Sequence, residues 1–591
     1  MNQTSTKGGE FLIKKTNAQN VFIPEEWNEE QKMIAQMCED FLRTEITPNL
    51  NRIDAMEEGL VPSLLDKAAE LGLLSLTLPE EFGGMNVDFK TSLLATEVLG
   101  GGHSFSVAYG AHTGIGTLPL LYYGNQQQKD KYLSKLATGE WKASYCLTEP
   151  GSGSDANSGK TKAVLDADGK HYILNGQKMW ITNAGFADFF TVFAKIDDDK
   201  NLSAFLVEKS FDGITLNPEE KKMGIKGSST RQMFFNNVKV PVENLLGERG
   251  DGFKIALNIL NIGRIKLAAG VLGGSKVAIK QSVEYAKSRE QFKRPISTFG
   301  AIRYKLAEQK IRTYALESAL YRSAQDIELA IEKRIAEGMD KTKALLKGVE
   351  EFAAECAILK VYGSETLDYV VDEGLQIHGG MGYSAETEIE RGYRDSRINR
   401  IFEGTNEINR MLSIGMLFRK VMKGELDLLS PAMKIAGELM SIPEFGEPDT
   451  STLGKEAQYV ENFKKCVLMV AGAAAQKLNK DLIKEQEVLM NLADMLLMTY
   501  VAESTLLRTQ KRITLLGEEK SQEEIAATQT LIYDFADKMH KSAKDALSSF
   551  AGEDELRMML MGIKRYTKTD VLNVKATRQL IAKAMIEKGK Y

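Results

Sequence analysis

The stretch His171-Tyr172-Ile173-Leu174-Asn175-Gly176-Gln177-Lys178-Met179-Trp180-Ile181-Thr182 decides how the chain divides. β-Branched and aromatic residues fill both halves, and Asn-Gly between two such runs predicts a hairpin turn. Working outward, the texture stays β from about 143 to 241, with turn residues at 166–169 and 197–201 separating about six or more short runs. That segment reads as a small β-barrel or sandwich. On both sides the period changes. Met33, Ile34, Met37, Phe41 and Leu42, then Leu64, Leu65, Ala68 and Leu71, recur at helical spacing. Beyond Gly252 the helical period returns over 255–288, 299–338 and 342–376. The chain is therefore mainly α with an inserted β domain.

This reading predicts a flexible N-terminus at 1–24, a helical domain at 25–142, a β domain at 143–245 and a helical bundle at 246–422. A linker at 423–454 collects Pro431, Pro443, Pro448 and several glycines. A further helical block follows at 455–591, with methionines such as Met490, Met495 and Met498 among its apolar positions.

Composition narrows the function. At 591 residues, with 43% apolar and 27% charged, the chain has material for several cores and does not resemble a disordered one. Lysine and arginine total 76 against 81 acids, a net charge of −5, which provides no electrostatic footprint for nucleic acid. Four scattered cysteines, Cys38, Cys146, Cys356 and Cys466, make neither a disulfide framework nor a metal site. No signal, transit or membrane-spanning segment is read, so a cytoplasmic protein is expected. The longest apolar run, 466–475, is half the roughly twenty residues a spanning helix needs.

Four clusters carry the chemistry. Tyr145-Cys146-Leu147-Thr148-Glu149-Pro150-Gly151-Ser152-Gly153-Ser154-Asp155 runs from a strand into a loop of glycines and hydroxyls. Such a loop brings amides and hydroxyls close to a flat polar ligand. Gly151, Gly153 and Ala156 match a loose dinucleotide fingerprint, but the residues after them, 161–165, read as β, where a Rossmann turn needs a helix. Met179-Trp180-Ile181-Thr182-Asn183 places a large aromatic face beside small polar groups; its plain reading is barrel core, and the functional one is a wall for an isoalloxazine ring. Gln376-Ile377-His378-Gly379-Gly380-Met381-Gly382 closes a helix, more glycine than a C-cap needs. In Ile401-Phe402-Glu403-Gly404-Thr405-Asn406, a glutamate before glycine is ordinarily just a solvated turn residue.

Together these motifs, with M-G-I-K-G-S-S-T-R at 223–231 and S-R-E-Q-F at 288–292, resemble the acyl-CoA dehydrogenase family over residues 25–420. The block after the linker makes the chain most similar to the very-long-chain branch. The resemblance implies a helical N-terminal domain, a small β-barrel, a C-terminal four-helix bundle and an additional C-terminal helical domain. It also implies FAD-dependent introduction of a double bond between the α and β carbons of a fatty acyl-CoA, in fatty acid β-oxidation.

Residue by residue, Glu403 matches the catalytic base, with Gly404 allowing close approach of the thioester. Tyr145, Leu147, Thr148, Trp180, Ile181 and Thr182 match flavin-ring contacts. Arg289, Phe292, Gln376, Gly379 and Gly380 match residues reaching a neighbouring subunit's FAD, which implies at least a dimer. Thr405 and Asn406 match further cofactor contacts, at a helix start that favours phosphate. Ser154 matches cofactor and acyl-CoA contacts, and Asn261, Arg264 and Phe402 match acyl-CoA contacts.

Two departures stand out. A flavin-contacting glutamine of shorter-chain relatives aligns with Gly300. In two branches the base lies at the position of Gly263, where glycine cannot abstract a proton. Gly110, Gly114 and Gly116 suggest either a slot for a long acyl tail or close helix packing, each glycine costing about 1 kcal/mol in a helix. The run 466–475 is read as buried core or as an interfacial face giving peripheral membrane contact. The expected acceptor is an electron-transfer flavoprotein. An oxidase using oxygen and a noncatalytic assembly protein remain alternatives. No metal is expected.

Overall fold

The computed structural model describes residues 6–439 and 449–591, so Pro443 and Pro448 of the expected linker lie outside the described residues. The N-terminal domain holds α1 (Glu29–Phe41), α2 (Leu60–Glu70), α3 (Phe89–Leu99), α4 (Ser104–Gly110) and α5 (Gln126–Ala137), with shorter turns between them. Asn28, Asp88 and Asn125 cap α1, α3 and α5 by accepting main-chain N–H bonds, which is why these helices start where they do.

The β domain comprises β1 (Ala143–Cys146), β2 (Lys162–Leu165), β3 (His171–Thr182), β4 (Phe189–Ile196), β5 (Ser203–Glu208), β6 (Ile214–Leu216), β7 (Thr230–Pro241) and β8 (Leu245–Leu246). They form one sheet in the order β6-β7-β3-β2-β4-β5-β8, with β1 parallel to β4. The hairpin predicted at Asn175-Gly176 is not there. β3 runs straight through it as a twelve-residue strand, and the register against β7 shifts between Leu174 and Gly176. Gly176 is needed for close approach, since a β carbon on it would lie 2.6 Å from the Thr161 hydroxyl oxygen. Across the bulge Asn175 and Asn237 exchange hydrogen bonds of 3.0 and 2.8 Å, and Asn237 takes the left-handed conformation at φ 52°. The true hairpin turn is 166–169, closed by Asp166 N–H to His171 C=O at 2.8 Å.

The helical bundle contains α6 (Gly252–Ser288), α7 (Gly300–Ala336), α8 (Lys341–Glu351), α9 (Ala353–His378), α10 (Glu388–Ser396) and α11 (Asn406–Met422). The stretch read as continuous over 342–376 is broken at buried Phe352, whose φ of −106° and ψ of 25° leave the helical region. α6 is long and apolar enough to cross a membrane, but its apolar residues are mostly buried in the core between α3, α7 and α9.

The segment expected as linker contains α12 (Leu429–Glu438) with Ile435 buried, followed after the undescribed residues by α13 (Gly454–Leu478), α14 (Gln486–Leu516), α15 (Gln522–Ser548), α16 (Glu553–Tyr566) and α17 (Val574–Lys588). The 466–475 run is core rather than an interfacial face: Cys466, Val467, Leu468, Met469 and Val470 are all buried. Residues 1–5 of the expected flexible N-terminus lie outside the described residues, and in the rest of it Phe11, Leu12, Val21 and Ile23 are buried. Arg508 on α14 locks three parts together by donating to Glu317 on α7 at 2.7 Å and to Glu25 at 3.1 Å.

Candidate active site

Between α10 and α11 the chain makes two successive left-handed residues, Glu403 at φ 58° and Gly404 at φ 85°. A non-glycine residue there is strained, and three side chains hold it. Asn409 donates to the carbonyls of Glu403, Gly404 and Thr405 at 3.3, 2.7 and 3.1 Å. The Lys360 ammonium donates to Gly404 C=O at 2.7 Å and to Asn406 Oδ1 at 2.8 Å. Arg264 donates through Nε to Glu403 C=O at 3.3 Å.

That clamp turns the Glu403 side chain inward, where Oε2 is buried without a hydrogen-bond partner. Burial pushes the carboxyl up to about 7, against the opposing pull of the Arg264 and Lys360 cations. It is therefore not a solvated turn residue. It faces a cavity of about 260 Å³. α6 lines this cavity along one stripe from Ile259 through Gly263 to Gln281, and the far wall comes from α3, α4 and the wide helical turn Ala111–Gly116. From Gly263 to Gln281 the stripe is about 27 Å long.

The glycines 110, 114 and 116 divide between the two readings. Gly110 and Gly114 line the cavity with open space at their β-carbon positions, whereas a β carbon on Gly116 would lie 2.8 Å from that of Ala143.

Tyr145 on β1 lies close enough to Glu403 that the charge raises its phenol, already pushed up by burial, and its hydroxyl is buried without a partner. Leu147 is buried, and Thr148 bonds through its carbonyl to Met179 N–H at 2.9 Å. Trp180 is not barrel core: it is 51% exposed in a left-handed conformation at φ 60°, beside buried Ile181 and cavity-lining Thr182. After Gly151, Gly153 and exposed Ser154 comes only a short turn, Ala156–Ser158, before β2, so the Rossmann reading fails as expected.

At the other end of α6, Arg289 and Phe292 are brought near Gln376, Gly379 and Gly380 by stacking of Tyr285 on His378, ring centroids 4.1 Å apart. All five residues are exposed, Phe292 at 88%.

Three expectations change. Asn261 and Arg264, expected against acyl-CoA, are 5% and 3% exposed and bond to each other at 2.7 Å, behind Glu403 rather than facing the cavity. Asn406 is buried with its side-chain amide taken by Lys360, Ser364 and Glu365. Thr405 spends its hydroxyl as the cap of α11. Phe402 lines the cavity as expected. At Gly300, the nearest side chain is Gln579 of α17, 4.0 Å from the β-carbon position and bonded to Arg303. Sequence reading missed Lys360 and Asn409 altogether.

An exposed aromatic face on a strand, an open glycine loop and a buried carboxylate on a long cavity suit an oxidoreductase that holds a flat cofactor against its substrate. Family profiles agree block by block: the N-terminal, middle and C-terminal domains of acyl-CoA dehydrogenase match residues 28–140, 144–238 and 250–416, and a second C-terminal profile matches 462–565. The chain belongs to the acyl-CoA dehydrogenase family, whose members are FAD-dependent oxidoreductases. A probable acyl-CoA dehydrogenase of Bacillus subtilis (strain 168) is 47% identical over 99% of this chain and 98% of its own length. The very long-chain specific acyl-CoA dehydrogenase of Rattus norvegicus mitochondria is 38% identical over 78% of this chain and 71% of its own. An acyl-CoA dehydrogenase from Bacillus anthracis, crystallised with FAD, superposes with a TM-score of 0.95 at 48% identity, covering 99% of this chain and 100% of that one.

Proposed function

We propose that the protein desaturates long-chain fatty acyl-CoA between the α and β carbons, with FAD as its cofactor, and hands the electrons to an electron-transfer flavoprotein. The observation that carries this reading is the buried Glu403 carboxyl at one end of a stripe about 27 Å long on α6. The α proton of a thioester is weakly acidic, so its base must have an affinity for the proton well above that of a solvated carboxylate. Desolvation supplies it here. The left-handed Glu403-Gly404 pair keeps the carboxylate turned into the cavity, and the bare Gly404 lets a thioester oxygen approach the main-chain N–H of Glu403.

The residues present fit FAD. Trp180 offers an exposed indole face, the Tyr145 hydroxyl is an unused polar atom, and Gly151, Gly153, Gly379 and Gly380 have open space where side chains would stand. Tyr145, Leu147, Thr148, Trp180, Ile181 and Thr182 would hold the ring, and Thr405 with the Asn406 N–H would meet the phosphate end. The bound flavin supplies the acceptor for the hydride that leaves the β carbon. The exposed group Arg289, Phe292, Gln376, Gly379 and Gly380 is assigned to the FAD of a second copy of this chain, which makes the enzyme at least a dimer. Ser154, on the open loop, is assigned to the CoA portion.

The test is anaerobic addition of acyl-CoAs of increasing length to the purified flavoprotein. Bleaching of the yellow colour, strongest for long chains, is the expected result; a maximum at four or six carbons refutes the long-chain reading. Glu403→Gln should keep the colour and lose the bleaching. Rapid peroxide release in air would replace the flavoprotein acceptor with oxygen.

A further inference from the structure

Between residues 259 and 278, every side chain that α6 presents to the cavity is glycine or apolar except Lys266. Three residues past Gly263, it lies about 4.5 Å further along the helix from the base, in the direction of Gln281. It makes no hydrogen bond and no ion pair among the described residues, and burial alone pulls its amine down to about 8. The other ionisable groups on the cavity are accounted for. Asp395 accepts from Ile225 N–H and pairs with the His103 imidazole at 3.1 Å, the Tyr109 hydroxyl donates to Leu73 C=O at 2.8 Å, and Glu403 is the proposed base. A lysine normally carries its charged head to water or to a carboxylate. This one reaches no carboxylate and, partly buried, opens onto the cavity, so an alkyl tail filling that space would strip water from the ammonium and give it no acceptor in return.

We propose that Lys266 is a specificity-determining residue that selects acyl-CoAs bearing an acceptor oxygen a few carbons beyond the β carbon. The shared chemistry is an oxygen accepting from the lysine, carried either by a hydroxyl or keto group within a long chain or by the terminal carboxylate of a short dicarboxylyl thioester. The proposal rests on the acyl-CoA dehydrogenation proposed above, independently of its long-chain preference, and names the oxygen that the acyl group carries. The α and β carbons remain at Glu403 in every case, since the lysine acts only on the tail.

The test compares wild type, Lys266→Met and Lys266→Arg flavoproteins with three probes: a saturated long-chain acyl-CoA, a mid-chain hydroxyacyl-CoA of equal length, and a short dicarboxylyl-CoA. A hydrogen bond to a charged donor corresponds to roughly a ten- to hundredfold preference. The ratio of kcat/KM for an oxygenated over the saturated probe should fall by that factor in Lys266→Met and survive in Lys266→Arg. A fall for the hydroxy probe alone, or for the dicarboxylyl probe alone, identifies which oxygen is read. An unchanged flavin spectrum in both variants shows that the fold and cofactor site are intact. Wild type that bleaches with saturated acyl-CoA, while Lys266→Met keeps the wild-type ratio for both oxygenated probes, overturns this proposal alone. Failure of every acyl-CoA to bleach wild type overturns the function and this proposal with it.

Discussion

The carboxylate of Glu403 rests against the bare backbone of Gly263: a β carbon on Gly263 would stand 2.7 Å from Oε2 and 3.1 Å from Cδ. A side chain at position 263 and the carboxylate of Glu403 would therefore compete for one point in space. Here glycine on α6 leaves room for the acid on the loop before α11.

Gly263→Ala tests that competition. The carboxylate is the far end of a flexible side chain, so the added methyl displaces it rather than breaking the helix, and alanine in α6 contributes about 1 kcal/mol of helix propensity. Folding and flavin content should be preserved. A displacement of about 1 Å at a reacting group costs on the order of a hundredfold in rate. Stopped-flow flavin reduction should show that loss; a wild-type rate would mean that the carboxylate does not work from the position seen here.

A second prediction concerns pH. Glu403 must be ionised to take a proton, so flavin reduction should rise with pH through about 7 and level off above it. The same shift affects stability with a definite sign. The folded protein keeps this proton up to about 7 whereas the unfolded chain releases it near 4.5, so stability contributed by this group declines as pH rises between those values. The penalty at pH 8 is about 3 kcal/mol. Glu403→Gln, which cannot ionise, should melt at the same temperature as wild type near pH 4.5 and higher at pH 8. An equal difference at both pH values would contradict a desolvated base.

Lys360 gives a third. Its ammonium pulls the Glu403 carboxyl down and also anchors Gly404 C=O and Asn406. Lys360→Met removes both effects. The ascending limb of the pH–rate profile should move to higher pH, and stability should fall by about 1–3 kcal/mol from the unsatisfied acceptors. A purely structural lysine would lower stability and leave the limb in place.

Lys360 also shows where sequence reading stops. The ordered motifs, the change of period at 143 and its return at 252 exposed the three-block core, and the I-F-E-G-T-N motif exposed Glu403. A lysine within a helical stretch gives no such signal, because an isolated cation on a helix usually faces water. Only the fold brings it over the loop, 44 residues away in sequence from Gly404. Asn175-Gly176 fails for a related reason. The dipeptide permits a left-handed backbone but does not dictate a reversal, and pairing of the whole strand with β7 converts the expected turn into a bulge. Arg264 and Asn406 carry the family pattern, yet their side chains are spent on bracing the base loop, which a motif cannot distinguish from touching a ligand.

The last prediction uses the length of the cavity. Gly270 lies seven residues past Gly263 on the same stripe of α6, about 10 Å along the helix. Nothing stands within 4 Å of its β-carbon position, so a larger side chain projects into the cavity rather than into the core. Gly270→Leu should therefore leave the chemistry at Glu403 intact and shorten the tail that fits. Short acyl-CoAs should be oxidised at close to the wild-type rate. Long ones should lose at least tenfold in kcat/KM, since a tail that cannot enter forfeits about 0.8 kcal/mol of burial per methylene. Competition assays with paired chain lengths measure this directly. If long and short substrates declined together, the tail would have to follow a path other than α6, and the length of this stripe would say nothing about the preferred substrate.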